Sequence, residues 1–109
     1  MAKNRISKDT IKVVKEYANR LSIKEKLHIK KVIVFGSQVK GSVGKWSDID
    51  VCIISPKFKN MRQALEFLWA KREKEEVLKG LEPIGFSEED FEKGSDLIEE
   101  IKKNGVEIK

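Results

Sequence analysis

The sequence is short of residues that several common chemistries require. Its single cysteine, Cys52, cannot form an internal disulfide. Cys52 lies inside an apolar run and reads as a small buried side chain in a reducing compartment. The single histidine, His28, has no partner histidines or cysteines for a metal cluster and reads as surface or packing. No apolar run approaches the roughly 20 residues needed to cross a bilayer. The opening MAKNRISKDT lacks the apolar centre of a signal peptide. A cytoplasmic protein with no membrane association is expected. No repeat, linker or low-complexity tail interrupts the 109 residues, which suit one domain with one core.

Charge is abundant. Charged residues make up 38% of the chain, and the net charge is +5. Residues 1–31 carry ten Lys or Arg against three acids, and residues 88–109 carry four against eight. The basic front leaves nucleic-acid contact open. Too few aromatics interleave with those lysines to make a single-strand-binding surface, so a solvated helix face is the preferred reading.

Periodicity gives the order of elements. Ile11, Val14, Ala18 and Leu21 recur at helical spacing, predicting a helix over 8–21. Ser22 and Glu25 are spaced as a capping box, predicting a further short turn of helix. IKKVIVF (29–35) and DIDVCII (48–54) read as strands. Residues 36–47 read as a loop, with one helical turn from Ser37. Met61, Ala64, Leu65, Leu68 and Trp69 predict a helix over about 60–74, with Trp69 in the core. VLKGLEPI (77–84) reads as a third strand, interrupted by Gly80 and Pro83, and the proline suits an edge or terminal position. Ser87 and Ser95 each start an acidic helical segment, the second ending at Asn104-Gly105. Val106–Ile108 reads as a last short strand. The expected fold is α+β, a small mixed sheet packed by helices.

Chemistry concentrates in VIVFGSQVKGSVGKWSDIDVCII, residues 32–54. A phosphate-binding P-loop fails there twice, because Val39 stands where glycine is required and Trp46 where Ser or Thr is required. The spacing of Gly36, Gly41 and Gly44 is also wrong for a dinucleotide fingerprint. Asp48 and Asp50, two apart on a strand, project to one face. Two carboxylates side by side repel unless a cation lies between them, and hard oxygen ligands suit Mg²⁺ together with substrate phosphates. Gly36 permits a sharp turn and a close phosphate approach. Ser37 adds a hydroxyl and a backbone N–H, and Lys40 and Lys45 add positive charge. Ser47 orients the turn into the strand, and Trp46 is a candidate for stacking on a base or partner.

GSQVKGSVGKWSDID resembles the signature of the DNA polymerase beta-like nucleotidyltransferases: Gly-Ser, a glycine a few residues on, then Ser-Asp-x-Asp heading the next strand. Gly36, Ser37, Gly41, Ser47, Asp48 and Asp50 occupy those positions. The resemblance implies a nucleotidyltransferase palm fold of the minimal type. It also implies transfer of a nucleoside monophosphate from a triphosphate, AMP from ATP, to a hydroxyl. Two Mg²⁺ ions held by three carboxylates are implied, with Asp48 and Asp50 as two ligands and Glu82, in the third predicted strand, as the third. Gly36, Ser37, Lys40, Lys45 and Ser47 would bind the nucleotide. Gln38 departs from the family, which often has Arg there, so Lys40 or Lys45 would substitute. Minimal members often pair with a helical HEPN protein as the antitoxin of a toxin–antitoxin system, and can attach AMP to the toxin. The alternatives are a non-catalytic subunit that masks a partner, or a transferase acting on a small molecule or RNA. A homo-oligomer is compatible with each.

Overall fold

A computed structural model describes residues 6–40 and 48–109. Helix α1 (Lys8–Lys24) starts at Ser7, whose side chain accepts from the Thr10 N–H. It runs through Ser22 and turns at Lys26, φ 56°. The expected second helix start at Ser22 therefore does not form, because Ser22 lies inside α1. Strand β1 (Lys31–Phe35) follows, then the single helical turn α2 (Ser37–Lys40), as expected. Strand β2 is Ile49–Ile54, so Asp48 immediately precedes it.

Helix α3 (Met61–Ala70) is capped by Asn60, which accepts from Gln63 N–H. It stops four residues short of its expected end. A separate short helix, α4 (Lys74–Leu78), occupies the start of the expected third strand. Glu73 and Glu76 form a reciprocal capping box at the start of α4, a signal that competes with the strand pattern of 77–79. Gly80, φ 79°, breaks α4 and lets strand β3 (Leu81–Phe86) begin. Helices α5 (Glu88–Lys93) and α6 (Asp96–Asn104) start at the serine caps Ser87 and Ser95, and strand β4 (Val106–Glu107) closes the order.

The strands form one sheet in the order β3-β2-β1-β4. β1 is antiparallel to β2 and β4, and β2 is parallel to β3. Both faces of the sheet are covered. Val32, Val34, Ile49, Val51, Ile53 and Leu81 pack with Val14, Tyr17 and Leu21 of α1 and with Ala64 and Leu68 of α3. Ile33, Phe35, Cys52, Ile54 and Phe86 pack with Ile98 and Ile101 of α6. Double-sided burial explains why β2 is a continuous apolar run after Asp50. Each fully buried Val or Ile there contributes about 1.5–3 kcal/mol.

Polar ties hold α1 in place. The buried Tyr17 hydroxyl donates to the Leu68 carbonyl of α3. Arg20 donates through both terminal nitrogens to Glu76 of α4, at 2.6 and 2.9 Å. Glu76 is only 7% exposed. Trp69 is not in the core. Its indole N–H donates to Pro83 O at 2.8 Å, its face carries the Arg72 guanidinium, and Arg72 donates to Leu81 O at 2.9 Å. Two carbonyls of edge strand β3 are thereby occupied, which blunts that edge against further pairing.

Candidate active site

Because β1 runs against β2 and β3 runs with β2, the end of β1 and the starts of β2 and β3 lie at the same end of the sheet. Phe35 pairs with Asp50, and Asp50 pairs with Glu82 in register. Asp50 and Glu82 are therefore neighbours across the β2–β3 boundary. Both share strand parity with the residues facing α6, while Ile49 and Leu81 are buried on the opposite face. Asp48 is exposed just ahead of β2, and Asp50 and Glu82 are half-buried.

The backbone of β1 turns away at Gly36, φ 76°. A Cβ placed on Gly36 would lie 2.3 Å from Asp50 Oδ2. A side chain at position 36 would thus be strained in its backbone and would collide with the carboxylate.

Electrostatics mark the cluster as one unit. Asp50 is pushed above the usual carboxylate range by burial and then by the charge of Asp48. Glu82 is raised by burial first, and then by the charges of Asp48 and Asp50. Arg72 pulls it down, while a side-chain hydrogen bond with Asp48 raises it again. Acids in contact relieve their repulsion either by sharing a proton or by sharing a cation. The donor set is therefore of the right kind for divalent ions: hard oxygens with excess negative charge. Among the described residues, no group of three or more His, Cys, Asp or Glu side chains is arranged to hold a metal ion.

Of the residues expected at the site, Asp48, Asp50, Glu82, Gly36 and Ser37 fall at this one end of the sheet. Gly41, Lys45, Trp46 and Ser47 lie outside the described residues, as does the side chain of Lys40. Gln38 lies 6% exposed and is used internally: its Oε1 accepts from Thr10 Oγ1 at 3.1 Å, and its Nε2 donates to Asp48 O at 3.2 Å. His28 is exposed, in keeping with a surface role.

Arg72 and Thr10 are contributors that sequence reasoning missed. Nothing in their spacing flags them, because they arrive from α1 and from the segment after α3. Among the described residues, concavities lie elsewhere. One, of about 180 Å³, lies among Arg20, Glu73 and Glu76, and one, of about 400 Å³, lies over Ile54 and Phe91. Neither includes the three carboxylates, whose juxtaposed charges make them the candidate site.

The sequence profile of the nucleotidyltransferase domain matches residues 14–108. A protein from Methanocaldococcus jannaschii, described as a "putative protein adenylyltransferase", is 44% identical over 43 residues. That stretch is 39% of this chain and 43% of the relative, so the chain spans less than half of the relative's length. The fold is similar to the crystal structure of a "putative nucleotidyltransferase" from Sulfolobus solfataricus. The TM-score is 0.64 at 18% identity, over 91% of this chain and 78% of that one.

Proposed function

This chain belongs to the nucleotidyltransferase domain family, and we propose that it transfers AMP from ATP to a hydroxyl on a protein acceptor. The observation that carries this reading is the register pair Asp50–Glu82, with Asp48 beside it. Two acids on neighbouring strands and a third just ahead of β2 lie where β1 turns away through Gly36-Ser37. In the transfer, the acceptor oxygen bonds to the α-phosphorus of the triphosphate, pyrophosphate leaves, and the hydroxyl proton is released.

Asp48, Asp50 and Glu82 would hold two divalent ions. Bound there, Mg²⁺ supplies charge neutralisation for the triphosphate and a more acidic acceptor hydroxyl. Gly36 keeps the space in front of Asp50 clear of a side chain. Ser37 offers its hydroxyl and amide beside that space, and Lys40, Lys45 and Ser47 would complete the nucleotide contacts. Gln38, turned inward, leaves neutralisation of the phosphates to the lysines.

The acceptor is a separate protein on this reading, in keeping with the description of the M. jannaschii relative. A helical HEPN-type protein encoded beside this chain is the partner we propose, with this chain as its antitoxin. The test is to incubate the chain with ATP, Mg²⁺ and the neighbouring gene product, and to follow acceptor mass and pyrophosphate. Acceptor should gain one AMP per pyrophosphate released, and Asp48→Asn with Asp50→Asn should abolish both signals. Full transfer by the double variant would sink the metal assignment.

A further inference from the structure

Gln38 carries chemistry that its sequence position does not suggest. A buried primary amide must find partners for its oxygen and its nitrogen. The oxygen accepts from Thr10 Oγ1, and Thr10 is itself 5% exposed. Having given its one proton to Gln38, the Thr10 hydroxyl accepts from Ser7 Oγ at 3.0 Å. The Gln38 nitrogen faces the Asp48 carbonyl, which can only accept. Reversing the amide would set two oxygens against each other, so the direction of the chain is fixed from Ser7 through Thr10 to Gln38, and from Gln38 to Asp48.

This chain ends on the backbone of an acid whose side chain is exposed. The next residue is fixed as well, since Ile49 N–H donates to Gly80 O at 2.8 Å. Asp48 therefore stands between two backbone anchors, one from the sheet and one from Gln38.

We propose that Gln38 is a positioning residue of the transfer site. By holding the Asp48 carbonyl to the first turn of α1, it sets where the Asp48 carboxylate stands relative to Asp50 and Glu82. This rests on the carboxylates being the metal ligands, as argued above. Thr10 acts through Gln38, so its effect is indirect and depends on its hydroxyl.

The test uses Mn²⁺ as the probe, with ATP present, and reads ion binding by electron paramagnetic resonance below the unfolding temperature of each variant. Gln38→Met keeps the length and loses both hydrogen bonds. It should bind Mn²⁺ about tenfold more weakly, the scale typical of residues that orient a metal ligand. Thr10→Val should weaken binding in the same direction, Thr10→Ser should restore it, and Thr10→Val added to Gln38→Met should cost little more. A purely structural role predicts lower thermal stability with unchanged Mn²⁺ affinity in the folded variants, and that result overturns the proposal. Asp48→Asn and Asp50→Asn are the controls. If they abolish binding while folded Gln38→Met and Thr10→Val do not, the positioning role alone falls. If they bind as the unaltered protein does, the metal assignment falls and takes this proposal with it.

Discussion

The Cα of Gly36 faces the carboxylate of Asp50 so closely that a single added methyl would lie 2.3 Å from Oδ2. The glycine is thus tied to one specific acid across the β1–β2 pair. Gly36→Ala should be destabilising by about 1–3 kcal/mol, since φ is 76° and the methyl must displace the carboxylate. It should also weaken Mn²⁺ binding, because the displaced group is a proposed ligand. Denaturant unfolding and an Mn²⁺ titration check the two effects separately. An alanine variant with unaltered binding would detach Gly36 from the site.

The cluster should make the metal-free protein sensitive to pH in a definite direction. Asp50 and Glu82 have folded-state values above their ordinary ones. A raised carboxylate contributes stability that is fully present below its unfolded value and is lost as pH rises through the folded one. Asp50→Asn should therefore stabilise the metal-free protein at neutral pH and give little benefit at about pH 4. Unfolding free energies of both proteins across that range provide the check. A stability difference independent of pH would contradict the shared charge.

Glu76 offers a contrast within the same chain. Its carboxylate is as buried as a core residue, yet Arg20 satisfies it with two hydrogen bonds. Arg20→Met would leave that charge unpaired and should cost about 3 kcal/mol. Mn²⁺ affinity measured below the unfolding temperature should not change. Loss of binding in the folded variant would show that the α1–α4 tie reaches the site.

Much of this was legible in the sequence. The period-two and helical patterns located α1, α3 and the strands, and serine caps located α5 and α6. Gly36, Asp48 and Asp50 stood out by their spacing together with the resemblance to the nucleotidyltransferase signature. Glu82 was singled out as an acid among apolar neighbours, and the parallel register places it beside Asp50. What spacing could not reveal was the boundary at α4, where a glutamate capping box outweighed an apolar stretch that resembles a strand. Nor could it reveal Trp69 leaving the helix's buried face to cover the edge of β3. Gln38 and Thr10, 28 residues apart, meet only after α1 has packed on the sheet.

Cys52 provides a plain check on the core. It is fully buried, and burial pushes its thiol up to about 12. Thiolate is the reactive form, so a thiol reagent should label it only as fast as the protein opens. Labelling kinetics with and without denaturant measure this. Rapid labelling of the native protein would contradict the packing of β2 against α6.

The central claim is that Asp48, Asp50 and Glu82 act as one ion-binding group spanning two strands. The most direct measurement is Mn²⁺ binding to Glu82→Gln in the presence of ATP. The side chain keeps its size and loses only its charge, on a half-buried residue in register with Asp50. Affinity about tenfold weaker or worse is the predicted result, with folding unaltered. Binding equal to that of the unaltered protein would show that the third strand contributes no ligand.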